Sequence, residues 1–111
     1  MSKAIQYIGI IGSGNVAWHL AHHLKTVGLS IEWIHSRNEE TGSDLAISID
    51  TRFEKEIPSK EVDLILICVN DDAIQQVLNQ MTGSFQVAYT SGTKPLDELQ
   101  FAGELGVYYP L

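Results

Sequence analysis

The residues best suited to chemistry by type and spacing are Gly12-Ser13-Gly14-Asn15-Val16-Ala17, the pattern G-x-G-x-x-A. Glycine at 12 permits a tight turn. Glycine at 14 has no side chain, so a phosphate-bearing group can approach the backbone. Ala17 is small enough for the following element to pack closely. If a helix starts there, its free N–H groups and partial positive charge face the same point. Asn15 then adds a side-chain donor or caps that helix. The loop has two readings: a phosphate cradle, or a strand–turn–helix corner that binds nothing. About twenty residues on, an acid ordinarily accepts hydrogen bonds from both ribose hydroxyls of a dinucleotide. This chain instead has His35-Ser36-Arg37-Asn38. A hydroxyl beside a guanidinium suits a 2′-phosphate, which a carboxylate would repel. Such a charge-assisted contact contributes about 1.5–3 kcal/mol. The alternative for Arg37 is an exposed ion pair with Glu39 or Glu40. Glu32 lies too early in its strand to reach over the sheet edge.

The elements that must position these residues alternate between strand and helix patterns. Residues 6–11 form a short continuous apolar run, as in a strand buried on both faces. From Asn15 to Val27 the apolar positions Val16, Ala17, Leu20, Ala21, Leu24 and Val27 recur at helical spacing, and Gly28 sits where a C-cap would be. Residues 31–35 read as a second strand, 39–48 as a helix interrupted by Gly42, and 50–53 as a short third strand. Residues 63–69 give the strongest strand signal, and 71–81 a helix. Residues 85–90 read as a fifth strand, 94–103 as a short helix and 106–110 as a sixth strand halted by Pro110. Six strands alternating with helices predict an α/β, doubly wound parallel Rossmann sheet of order 3-2-1-4-5-6, with a ligand crevice between strands 1 and 4. In that setting the glycine loop reads as the cradle of a dinucleotide, and Ser36-Arg37 selects NADP(H).

Bulk properties agree. The 111 residues are 44% hydrophobic and 19% charged, enough for one domain with its own core. A net charge of −7 argues against nucleic acid or an anionic membrane as a partner. No apolar run reaches the roughly 20 residues of a membrane span, and the N-terminus lacks the pattern of a signal peptide. The single cysteine, Cys68, lies in an apolar run and fits a reducing cytoplasmic setting.

Taken together, "IGIIGSGNVAWHLAHHLKTVG", "IHSRN", "DLILICVNDDAI", "VAYTSGTKPLDEL" and "GVYYPL" resemble the N-terminal half of bacterial NADP oxidoreductases. These belong to the superfamily of pyrroline-5-carboxylate reductase and 6-phosphogluconate dehydrogenase. The resemblance covers nearly the whole chain. It implies that Ser13, Gly14, Asn15 and Val16 line the pyrophosphate and that Ser36 and Arg37 lie at the 2′-phosphate, with Gly12 and Asn38 also counted among the cofactor-binding residues. It implies that Val69, Asn70 and Asp71 lie beside the nicotinamide half. Thr90, Ser91 and Gly92 would then lie near the ring on the substrate side. Thr90 and Ser91 are the only candidates for a part in catalysis, and no proton donor stands out. Relatives often carry Val-Pro-Asp where this chain has Val69-Asn70-Asp71, which bears on the shape of that loop. The family also implies an all-helical C-terminal domain, outside these residues, that completes the substrate pocket and forms a homodimer. The chain alone is then expected to bind cofactor without turnover. Two rivals remain: a stand-alone NADP sensor, and a reductase passing hydride to a deazaflavin coenzyme.

Other residues have structural explanations. His19 and His23 have a metal-ligand spacing but no accompanying acid or cysteine, so no metal site is expected. Trp18 falls opposite the core stripe of its helix. It is either an exposed contact surface or a half-buried packing residue. Asp71 and Asp72 suit a helix cap.

Overall fold

The computed structural model describes residues 5–58, 62–69, 71–81, 86–90 and 104–108. Six strands, β1 (Tyr7–Ile11), β2 (Ser30–His35), β3 (Arg52–Glu54), β4 (Leu64–Ile67), β5 (Gln86–Thr90) and β6 (Glu104–Tyr108), form one sheet of order β3-β2-β1-β4-β5-β6. Every neighbouring pair is parallel. Helices α1 (Asn15–Thr26), α2 (Glu39–Ser48) and α3 (Asp71–Gln80) connect them. This is the doubly wound sheet expected from the sequence. The helix expected over 94–103 lies outside the described residues.

Both faces of the central strands β1, β2 and β4 are buried, which is why β1 and β4 read as unbroken apolar runs. On one face Ile8, Ile10, Ile34 and Leu66 meet Ala17, Leu20 and Ala21 of α1 and Leu45 and Ala46 of α2. On the other, Ile11, Trp33, Ile65, Ile67 and Val87 meet Ile74 and Leu78 of α3. Each fully buried Leu or Ile contributes about 1.5–3 kcal/mol.

Several boundaries differ from the sequence reading, for local reasons. Helix α2 closes with Asp50 in the left-handed region at φ 58, and Thr51 N–H donates back to the Ala46 carbonyl at 2.9 Å. That is a helix C-cap, so β3 cannot begin before Arg52. Gly28, at φ 96, closes α1 in the same way, with Leu29 N–H donating to the Leu24 carbonyl at 3.0 Å. At the same entry edge of the sheet the Asp63 carboxylate accepts from the N–H groups of Gln6 and Tyr7, each at 2.9 Å. This fixes the entry of β1 against that of β4. β6 starts two residues earlier than expected because Glu104 is already in register with Gln86.

β2 carries a bulge. Ile8 pairs with Ile31, but Gly9 pairs with Trp33, so Glu32 is the extra residue. The shift turns Trp33 to the α3 face. There it is fully buried, and its ring occupies the space a side chain at Gly9 would need. Its indole Nε1 has no hydrogen-bond partner among the described residues. Gly9→Ala is therefore expected to lower unfolding stability by about 1–3 kcal/mol through overpacking, read as a lower urea midpoint. In the double variant Gly9→Ala/Trp33→Phe the loss should be smaller than the sum of the single losses; strict additivity would show that the two residues do not share this space.

Candidate nucleotide site at the carboxyl edge of the sheet

The site is built where β1 ends. Cys68 N–H donates to the Ile11 carbonyl at 2.7 Å, and Gly12 N–H donates to the His35 carbonyl at 2.7 Å. The last residues of β1 are thus held by both neighbouring strands. Gly12 then turns at φ 123, a region that L side chains rarely adopt, and a Cβ there would overlap the Cys68 carbonyl. Glycine is required at 12 on both counts.

Gly14 is different. It is the extended N-cap of α1, with φ −80 and ψ −169, and a Cβ there would meet nothing within 4 Å. No side chain caps this helix and its first turn has no acidic residue. The first α-helical bond runs from Trp18 N–H to the Gly14 carbonyl. The N–H groups of Asn15, Val16 and Ala17 precede it and have no acceptor among the described residues. Asn15 is the first helical residue and not the cap, which corrects one of its two expected roles. Val16 is exposed on the same turn.

Helix α2 has the opposite design. Asn38 caps it, with Oδ1 accepting from Thr41 N–H at 3.1 Å, and Glu39 and Glu40 fill its first turn. Its N-terminus thus carries its own cap and its own negative charge. Between the two helix starts lie three hydroxyls. Ser13 Oγ is 2.8 Å from Ser36 Oγ and 2.6 Å from Thr41 Oγ1. Asn38 N–H also donates to Ser36 Oγ at 3.2 Å. The Ser13 side chain therefore reaches toward the β2–α2 loop, and what it can offer a pyrophosphate is its main chain. Gly42, inside α2, lets this corner close: a Cβ there would overlap the Phe53 ring and lie 3.1 Å from Ser36 Cβ.

Arg37 is exposed and has no ion pair or hydrogen bond among the described residues. The pairing considered for it is not formed; Glu39 instead lies 3.6 Å from Lys55 Nζ. Val69 is half-buried after β4, Asp71 opens α3, and Thr90 ends β5, so all three lie at the same carboxyl edge. Asn70, Ser91 and Gly92 lie outside the described residues, as do the side chains of Asp71, Asp72 and Thr90. Thr41 and Gly42 were missed by the sequence reading. The available signal was a hydroxyl three residues after the Asn38 cap, which the first helical turn brings back over the loop.

The remaining candidates are structural. Trp18 is half-buried against the α1 face of the core and stacks on His22, with ring centroids 5.3 Å apart. His22 Nδ1 is 2.7 Å from the Trp18 carbonyl. Cys68 is buried. Among the described residues no helix is long and apolar enough to cross a membrane.

Comparison with known proteins agrees with this fold. The chain is similar in structure to the "putative NADP oxidoreductase BF3122 from Bacteroides fragilis", with a TM-score of 0.79 and 24% identity over 96% of this chain and 44% of that one. It is similar to GenD2 from gentamicin A biosynthesis, solved in complex with NAD, with a TM-score of 0.63 and 16% identity over 82% of this chain and 28% of that one. It also matches prephenate dehydrogenase from A. aeolicus, solved with hydroxyphenyl propionate and NAD+, with a TM-score of 0.59 and 14% identity over 80% of this chain and 34% of that one. The chain thus spans less than half the length of each, and at these identities the likeness shows the shared fold. No curated protein matches the chain. Residues 7–89, most of the chain, match the family described as NADP oxidoreductase coenzyme F420-dependent, and the chain belongs to that family.

Proposed function

We propose that the chain binds NADP(H) and serves an oxidoreductase that moves hydride between the nicotinamide C4 and a small C=O or C=N substrate. One observation carries the reading: the uncapped N-terminus of α1 is joined by hydroxyls to a loop whose arginine has no partner among the described residues. The main-chain N–H groups of Gly14, Asn15 and Val16 take the pyrophosphate, and the bare Gly14 lets it approach. Ser36 and Arg37 take the 2′-phosphate, and Asn38 holds their loop through its cap. Val69, Asn70 and Asp71 flank the nicotinamide half, and Thr90, Ser91 and Gly92 face the substrate. The bound cofactor supplies the redox chemistry, while the protein holds and orients it. In the whole protein a helical domain beyond these residues completes the substrate pocket and pairs two subunits, so the chain alone binds without turnover. The buried thiol of Cys68, the only cysteine in the sequence, suits a reducing cytoplasm. A second reading, supported by the coenzyme in the family's description, makes a deazaflavin the hydride partner of NADP(H). An absorbance change on mixing NADPH, deazaflavin and the full-length protein would distinguish the two.

Calorimetric titration tests the cofactor assignment. NADPH should bind more tightly than NADH, and Arg37→Ala should weaken NADPH by roughly ten- to hundredfold while leaving NADH nearly unchanged. Equal affinities that do not respond to Arg37→Ala would refute the 2′-phosphate site. The two loop glycines should separate stability from binding. Gly12→Ala is expected to destabilise the fold by about 2–5 kcal/mol, from a strained φ and the overlap with Cys68. Gly14→Ala should cost less than about 1 kcal/mol in chemical denaturation yet weaken both cofactors by about tenfold or more.

A further inference from the structure

The three hydroxyls between the helix starts form a line with two possible directions. In one, Thr41 donates to Ser13 and Ser13 donates to Ser36. Ser36 Oγ then accepts from both Ser13 and Asn38 N–H. Both of its lone pairs are filled, and it can offer a ligand only its proton. In the other, Ser36 donates to Ser13, Ser13 donates to Thr41, and Thr41 donates to the Asn38 carbonyl at 3.4 Å. Ser36 then presents only a lone pair. A phosphate dianion needs the first direction. A ribose hydroxyl is satisfied by either, because it both donates and accepts. The second direction ends in a long, weak bond.

We propose that Ser13 and Thr41 are positioning residues that set the proton direction at Ser36, and that this direction fixes the preference for a 2′-phosphate over a 2′-hydroxyl. The proposal rests on the 2′-phosphate reading of Ser36 and Arg37. It gives Ser13 a role apart from the pyrophosphate, and gives a role to Thr41, which need not touch the cofactor at all. The two residues act with opposite sign. Without the Ser13 hydroxyl, one lone pair of Ser36 is released and its proton is no longer held outward. Without the Thr41 hydroxyl, Ser36 is the one acceptor left for the Ser13 proton among the described residues, which favours the donating direction at Ser36.

The test uses the half-cofactors 2′,5′-ADP and 5′-AMP as probes, titrated into the unmodified chain and into Ser13→Ala, Thr41→Val and Thr41→Ser. The readout is the ratio of the two dissociation constants. Ser13→Ala should lower the preference for 2′,5′-ADP by about tenfold, the worth of one hydrogen bond to a charged group. Thr41→Val should keep or raise that preference, and Thr41→Ser should restore the unmodified ratio. A general loosening of the loop would lower the preference in both Ser13→Ala and Thr41→Val, and that result overturns the proposal, as does an unchanged ratio in Ser13→Ala. If the unmodified chain prefers 2′,5′-ADP but the variants do not differ, the relay alone is refuted. If the unmodified chain shows no preference for 2′,5′-ADP, both the relay and the 2′-phosphate reading are refuted.

Discussion

The main-chain carbonyl of Cys68 lies where a side chain at residue 12 would have to go, and the rest of the site follows from that contact. β1 is hydrogen-bonded on one side to β2 and on the other to β4 up to its last residue, through Gly12 to His35 and Cys68 to Ile11. The chain has no room to drift at this point. It must turn within two residues, at a positive φ, and start α1 at once. The outcome is a helix N-terminus held at the middle of the sheet's carboxyl edge, where the strand order reverses. Open α/β sheets place ligands at that reversal. Precision here comes from the rigid strands, and the loop itself contributes little beyond the absence of side chains.

The two buried faces of the sheet keep that edge fixed. Helices α1 and α2 share one core cluster, so the two loops that precede them are anchored to the same packed face. The hydroxyl contacts of Ser13 with Ser36 and Thr41 then join those loops directly. The contrast between the helix starts carries the chemical meaning. α2 has the Asn38 side chain as its cap and two glutamates in its first turn, whereas α1 has neither a side-chain cap nor an acid. In a chain with a net charge of −7, an exposed Arg37 with no partner among the described residues puts a positive charge on the loop joined to that open terminus.

Much of this was legible in the sequence because the signals are local. Buried parallel strands show as apolar runs, α1 shows its stripe from Ala17 to Leu24, and the glycine spacing marks the turn. The order β3-β2-β1-β4-β5-β6 followed from the alternation of elements and from the handedness of their crossovers. What escaped depends on contacts between distant residues. The bulge at Glu32 exists only as a register between β1 and β2, and nothing in "SIEWIH" announces it. Gly42 looks like an interruption of α2 until Phe53 and Ser36 are seen packed against it. Ser13 reads as a pyrophosphate residue from its place in the motif, yet its hydroxyl is turned toward Ser36, 23 positions away. Thr41 carries no motif and is assigned only by its distance to Ser13.

The central claim is that the first turn of α1 and the β2–α2 loop bind one dinucleotide together. The most direct measurement is amide nitrogen–proton correlation spectroscopy of the labelled chain during titration with NADPH. The account predicts that the largest shifts fall on the amides of Gly14, Asn15, Val16, Ser36 and Arg37, and that all five saturate at one NADPH concentration. Shifts confined to other parts of the sheet, or two loops that saturate independently, would contradict it.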